Sequence, residues 1–388
     1  MRIYLDHNAT APVLPEVAAA VSRAMQETIG NASSVHTFGQ QAKTALDRTR
    51  TALAALIDAD PAEIVFTAGG TEADNLALRG AADALAATGR THLIATGIEH
   101  EAILNTVKAL ERRGWTSTSL PLDASGVVRP EALAEALRPD TALVTVMHAN
   151  NEIGTIQPVA DLAAIARRHG ALFHTDAVQS VGKIPVSVRA LGVDTLALSA
   201  HKFGGPQGTG ALWIRRGLRL VAQLTGGRQE RGRRGGTENV PGLIGLGVAA
   251  AVAADTLAAT APRLAALRDW FEQTVLDTVP GTAVNGDRAA RVPNTTNIGF
   301  EGLEAESLLI ALDLEGIAVS TGSACSSGSL EPSHVLRAMG LPSARARNSL
   351  RFSLGPTTTR EELELVAGVL PRLVARLRTL GRPLATAR

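Results

Sequence analysis

Hydrophobic positions fall into two alternating rhythms between about residues 62 and 216. Short apolar runs, EIVFTAG (63–69), HLIATG (92–97), ALVTVMH (142–148), ALFHTDA (171–177), TLALSAH (195–201) and ALWIRR (211–216), predict strands buried on both faces. Between them, EALAEALR (131–138) and VADLAAIARRHG (159–170) carry apolar residues at helical spacing, the second stopping at Gly170. Such alternation predicts a mostly parallel sheet covered on both faces, so the fold class is α/β. After Gly236 the texture changes. A long Ala-rich segment through Arg268 and Trp270 predicts a connecting helix. Its most apolar part, residues 242–254, is too short and too weakly hydrophobic to span a bilayer. Beyond it, PNTTNIGFEG, AESLLIALDLEG, IAVSTGSAC and RNSLRFSLG predict strand, helix, strand and strand, followed by a Leu/Val helix starting near Arg360. A smaller α+β domain is therefore expected over 262–388, with 1–261 as the larger domain and a frayed tail from Thr379.

Composition mainly excludes. The 388 residues balance 38 Lys plus Arg against 37 Asp plus Glu, which offers no global attraction for nucleic acid or an acidic membrane surface. Aromatic residues at 3% supply no stacking platform for single strands. A single cysteine forms no intramolecular disulfide, no Cys-based zinc site and no protein-held iron–sulfur cluster. The opening MRIYLDHNATAP has no apolar signal core, so the expectation is a cytoplasmic globular protein.

Candidate chemistry sits where the predicted strands end, because ligands of parallel α/β sheets bind outside the carboxyl ends of the strands. Five ends carry polar groups: Gly69–Gly70–Thr71, Glu99–His100, residues 148–152, Asp176 to Gln179, and Ser199 to Lys202. TAGGTEADNLAL runs from a strand through two glycines into a helix, a pattern suited to phosphate on a helix N-terminus or to a simple turn capped by Thr71. Lys202, in SAHKFGGPQG, is either a desolvated nucleophilic amine or a snorkelling surface lysine. Asp176 either caps a helix or faces a protonated heteroaromatic nitrogen, the arrangement that makes pyridoxal phosphate an electron sink. His100 suits stacking on a flat ring or proton transfer, or is a satisfied core histidine. Cys325 lies in a Ser/Gly-rich stretch, 321–329, that favours a thiol reaching into a pocket over a buried small hydrophobe. Arg351, inside an apolar strand, suits bidentate carboxylate recognition or an edge ion pair.

Together the segments YLDHNATAP, GNASSVHTFGQQA, EIVFTAGGTEADNLALRG, EHEAIL, MHANNEIGTIQP, HTDAVQSVGKI, SAHKFGGPQGTGALW, GGRQERGRRGGTENVPG and SACSSGSLEPSHVLRAMG span almost the whole chain. In them the chain resembles the NifS/IscS-like cysteine desulfurases, in the long-loop group, within the class V aminotransferase superfamily. The resemblance implies pyridoxal 5′-phosphate as cofactor and fold type I, with a mostly parallel seven-stranded sheet in the large domain. Its first twelve or so residues would pack on the small domain, which would carry the catalytic cysteine loop. It implies that Lys202 holds the cofactor, Asp176 its ring nitrogen and Gln179 its phenolic oxygen, with His100 stacked on the ring and Asn151 beside it. Gly70, Thr71, Ser199 and His201 would bind the phosphate, joined by Thr237 from a partner subunit, hence a homodimer. Arg351 would take the carboxylate of L-cysteine and Cys325 its sulfur, with His100 as candidate acceptor of the thiol proton. The sulfur would pass to an acceptor protein such as an iron–sulfur scaffold, with no resident metal, although Cys325 could transiently ligate a cluster iron. Direct nucleic-acid binding and membrane attachment are not expected. Ala11 and His7 depart from or vary within the pattern without touching the inferred chemistry. Selenocysteine lysis, another class V reaction, a sulfur-transfer scaffold and, least supported, a thiol hydrolase built on Cys325 and a histidine stay open as alternatives.

Overall fold

The computed structural model describes residues 2–321 and 332–380. Its strands are β1 (Ile3–Tyr4), β2 (Ile64–Thr67), β3 (His92–Thr96), β4 (Thr116–Leu120), β5 (Thr141–Thr145), β6 (Leu172–Asp176), β7 (Thr195–Ser199), β8 (Gly210–Ile214), β9 (Thr282–Asn285), β10 (Thr295–Phe300), β11 (Ile317–Ala318) and β12 (Ser349–Ser353). A seven-stranded sheet has the order β2-β8-β7-β6-β5-β3-β4. The pairs β3–β4, β3–β5, β5–β6 and β6–β7 are parallel, while β8 runs antiparallel to both β2 and β7. Reversal of β8 alone leaves β2, β3, β5, β6 and β7 pointing the same way. Their carboxyl ends, which carry the five polar clusters, therefore share one edge of the sheet.

The six apolar runs read from the pattern all form strands. The seventh, β4, has the sequence TSTSL and escapes the hydrophobic pattern. It is an edge strand with a single neighbour and four of its five residues are not buried, so polar side chains carry no desolvation cost there. The predicted strand IAVSTGSAC is shorter in the structure: β11 covers two residues, after which Ser320 exchanges backbone hydrogen bonds with Arg351.

The Ala-rich segment forms one 39-residue helix, Val240–Thr278, with Pro262 inside it. By length and composition it is apolar enough to cross a membrane. It packs instead as a core helix against Pro15–Glu27 and Thr37–Leu56, burying Leu243, Leu246, Ala249 and Ala250. Its first half joins the core of the large sheet through Val240, Leu243, Leu246 and Ala250. Its second half joins another core through Leu264, Phe271 and Val275, with Ile298, Phe300, Leu350 and Phe352 of the antiparallel sheet β12-β10-β9. Ile3 and Leu5 belong to that second core, and β1 pairs parallel with β11. The N-terminal segment thus passes from the second core to the sheet edge where the polar clusters meet.

Candidate active site

A cavity of about 400 Å³ opens at that edge. It is lined by Gly70, Thr71, His100, Asn151, Asp176, Gln179, Ser199, His201, Lys202 and Arg351, all singled out from sequence, and by Asn8, Ala9, Asp74, Met147 and Val178, which were not. Thr237 is exposed and does not line it. Cys325 lies outside the described residues.

One wall offers backbone N–H donors suited to an anion. The 16-residue helix Gly70–Leu85 begins at Gly69 with no side-chain cap, so its first-turn N–H groups and the positive end of its dipole are presented by Gly70 and Thr71. A Cβ on Gly70 would lie 2.7 Å from Val178 Cγ2, so only glycine allows the backbone to approach this closely. Ser199 and His201 complete this wall. Burial, then the charges of Lys202 and Lys183, lower the His201 imidazole to about 4, so it stands neutral and bonds Thr10 Oγ1 through Nδ1 at 3.1 Å.

The floor is acidic. Asp176, at the end of β6, accepts from Val178 N at 2.9 Å, the local turn bond expected of a strand-end aspartate. Burial raises its pKa, while His100, the Val178 N–H and Lys202 pull it back. Asp74 and Glu99 are buried nearby, and Glu99 is pushed up to about 8, chiefly by burial. A cation close to Asp176 would relieve this concentration of buried carboxyl groups.

Lys202 sits on the short turn following β7. Its Nζ donates to the carbonyls of Asn8 (2.8 Å) and Ala9 (2.7 Å), so the amine is held inward by the N-terminal segment. His100 caps the helix Glu101–Glu111, its Nδ1 accepting from Ala102 N at 3.1 Å. That bond puts the proton of the neutral ring on Nε2. Accepting the Cys325 proton, directly on Nδ1 or on Nε2 after a change of tautomer, would require the ring to give up the Ala102 bond.

Arg351, on β12, is 1% exposed. It donates from Nη2 to Asp6 Oδ1 at 2.6 Å and from Nη1 to the Asn151 carbonyl at 2.9 Å. Its Nε is buried and has no hydrogen-bond partner among the described residues. A fork anchored on one side with an unsatisfied donor on another suits an incoming carboxylate. Asp6 and Asn8 were the main omissions. Both stand in the polar stretch YLDHNATAP, whose placement 345 residues away from Arg351 is a tertiary fact.

Residues beyond the Cys325 segment dock on the same edge. Ser333 Oγ donates to Glu152 Oε2 at 2.5 Å, and His334 Nε2 bonds the Glu99 carbonyl at 3.0 Å. Glu99 and Glu152 each adjoin a cavity residue, His100 and Asn151.

Comparison with known proteins agrees with this architecture. The aminotransferase class-V family description matches residues 3–366. A cysteine desulfurase IscS of Dictyoglomus turgidum is 48% identical over 379 residues, 98% of this chain and 96% of that protein. A cysteine desulfurase of a Nostoc species is 49% identical over 98% of this chain and 94% of its own length. A solved NifS-like protein superposes with a TM-score of 0.91 at 36% identity, covering 97% of this chain and 100% of that one. The family depends on pyridoxal 5′-phosphate, and the residues here fit it. An uncapped helix N-terminus suits the phosphate, a buried aspartate the ring nitrogen, and an inward lysine amine the aldehyde. The chain belongs to the pyridoxal-phosphate-dependent aminotransferase class-V family, among its NifS/IscS-like cysteine desulfurases.

Proposed function

We propose that the chain removes sulfur from L-cysteine, releasing L-alanine and leaving the sulfur as a persulfide on Cys325. The observation that carries this reading is the convergence of Lys202, Asp176, the Gly70 helix N-terminus and the half-satisfied Arg351 on one cavity. Bound there, pyridoxal phosphate supplies an electron sink for the charge left when the substrate loses its α-proton. Lys202 would anchor the cofactor and then take up that proton. Asp176 would keep the ring nitrogen protonated, and Gln179 would donate to the ring oxygen. His100 would pack on the ring, with Asn151 beside it. Gly70, Thr71, Ser199 and His201 would hold the phosphate, and Arg351 would hold the substrate carboxylate. The Cys325 thiolate attacks the substrate sulfur, so an S–S bond forms as the Cβ–S bond breaks, and the three-carbon remainder leaves as alanine after protonation.

Thr237 is exposed and outside the cavity, as expected of a phosphate ligand lent to the partner in a homodimer. A division at residues 1–261 and 262–388 is supported by the two halves of the helix Val240–Thr278, which enter different cores on either side of Pro262. With one cysteine in the chain, the persulfide leaves to an acceptor protein of the iron–sulfur or thiolation kind, or to a small thiol, in a reducing cytoplasm.

The test is alanine and sulfide release from L-cysteine with a reductant, run beside L-selenocysteine, for the parent chain and Cys325→Ala. Alanine from L-cysteine that disappears in Cys325→Ala, with cofactor retained, supports the reading. Undiminished alanine in that variant would refute the thiol's role. Turnover of selenocysteine alone would favour the lyase.

A further inference from the structure

Lys183 is a buried amine to which the reaction above assigns no part. It follows β6 on a tight turn closed by hydrogen bonds from Lys183 N and Ile184 N to the Ser180 carbonyl, both 3.0 Å. Gly182 in that turn has φ +77°, and a Cβ there would lie 2.6 Å from Phe203 Cβ. The turn is thereby pressed against the Lys202 loop, and the Lys183 side chain is directed inward, leaving the residue 9% exposed. Its Nζ donates to Asn8 Oδ1 at 2.8 Å and to Gln179 Oε1 at 2.5 Å. Both acceptors are neutral amide oxygens. Burial, with the nearby charges of Lys202 and Arg351, pushes the amine well below the ordinary lysine range. His7 and His201 also feel its charge. Charged or neutral, the amine has at least two N–H donors, enough for these two acceptors.

An amide has two ends that differ in hydrogen bonding but hardly in shape, so its orientation is set by its partners. With Oε1 claimed by Lys183, Gln179 Nε2 donates to the Asn8 carbonyl at 3.0 Å, the same carbonyl that accepts from Lys202 Nζ. Flipped, the amide would set oxygen against that carbonyl and nitrogen against the amine. We propose that Lys183 is a positioning residue that fixes Gln179 with its N–H groups as donors toward the phenolic oxygen of the bound cofactor, and fixes Asn8 as the hub that holds Lys202. This rests on the reading of Gln179 given under Proposed function.

The experiment is a pH titration of the cofactor's visible absorption band in the loaded parent chain, Lys183→Met, Gln179→Leu and the double variant. A donor on the ring oxygen draws off negative charge and loosens the proton held beside it. Losing the donor therefore raises the midpoint, by about half a pH unit or roughly threefold in proton affinity. The expected result is that Lys183→Met and Gln179→Leu each raise the midpoint and that the double variant rises no further than Gln179→Leu alone. Lys183→Gln, neutral but still a donor, is expected closer to the parent than Lys183→Met and stands in if the methionine variant does not fold. An unmoved midpoint in the folded variants overturns the proposal. Additive shifts in the double variant also overturn it, since they mean that Lys183 acts through its charge alone. A parent chain with no visible band, or with no borohydride fixation of cofactor on Lys202, refutes the cofactor reading instead.

Discussion

Arg351 and Glu99 show how burial and close neighbours together give single residues their chemistry. Arg351 is nearly inaccessible, with Asp6 and the Asn151 carbonyl holding one side of its guanidinium. Replacing it by lysine keeps the charge but removes the fork. Arg351→Lys is expected to raise the KM for L-cysteine about 10- to 100-fold, with a smaller effect on the band spectrum of the resting enzyme, as read by steady-state kinetics. Glu99 accepts from Thr96 Oγ1 at 2.7 Å and Met147 N at 2.9 Å through Oε1, while Oε2 is buried without a hydrogen-bond partner among the described residues. Raised from 4.5 to about 8, its carboxyl is protonated at neutral pH in the folded chain. Its contribution to stability is full below 4.5 and is lost as pH rises through about 8. Glu99→Gln, neutral at every pH, is expected to flatten the fall in denaturant midpoint between those values. At this scale the sequence singled out Lys202, Asp176 and Arg351, which the fold gathers on one cavity, because a charged residue at the end of an apolar strand or inside one needs a reason to be there. It did not name Asn8 or Lys183. An asparagine near a chain terminus and a lysine on a turn are ordinary until their neighbours are known.

Elements placed the cofactor wall and the docking of the second core. The helix Gly70–Leu85 is suited to an anion because its cap is a glycine and its second glycine lets Val178 approach. Gly70→Ala is expected to weaken cofactor retention on dialysis, since the new methyl must push Val178 away or lift the helix end from the phosphate. Ser333 does double duty, capping the helix His334–Ala338 through Leu336 N at 3.2 Å and donating to the buried Glu152. Ser333→Ala is expected to cost about 1–3 kcal/mol in denaturant unfolding, because it removes both bonds and leaves Glu152 buried without that donor. The strands β2, β3, β5, β6, β7 and β8 were legible as apolar runs. Edge strand β4 was not, because a half-exposed TSTSL segment has only one neighbouring strand to satisfy.

Across the whole molecule, the long helix Val240–Thr278 joins two cores, and its far half is tied to β10 by a buried charge cluster. Glu272 accepts from Arg291 Nη1 at 2.6 Å, from Thr296 Oγ1 at 2.6 Å and from Arg288 Nε at 3.1 Å. Burial raises its carboxyl, but the bonds from Arg291 and Thr296 outweigh it and hold the pKa below 4.5. The stability it confers is therefore present above 4.5 and lost as pH falls through the lower folded value. Glu272→Gln is expected to cost about 3–5 kcal/mol near neutrality and to remove part of the acid-limb loss, measured by urea unfolding at stepped pH. Local patterning, which acts through side-chain period and backbone propensity over a few residues, determined the α/β class, most strands and the connecting helix, while motifs at the strand ends marked residues that line the cavity. Only the tertiary structure decided that β8 alone reverses, that Arg351 meets Asp6, and that Asn8 crosses 171 residues to organise Gln179. Those facts depend on strand order and on burial between distant segments, and nothing in a short stretch of chain encodes which remote carbonyl will face a buried amine.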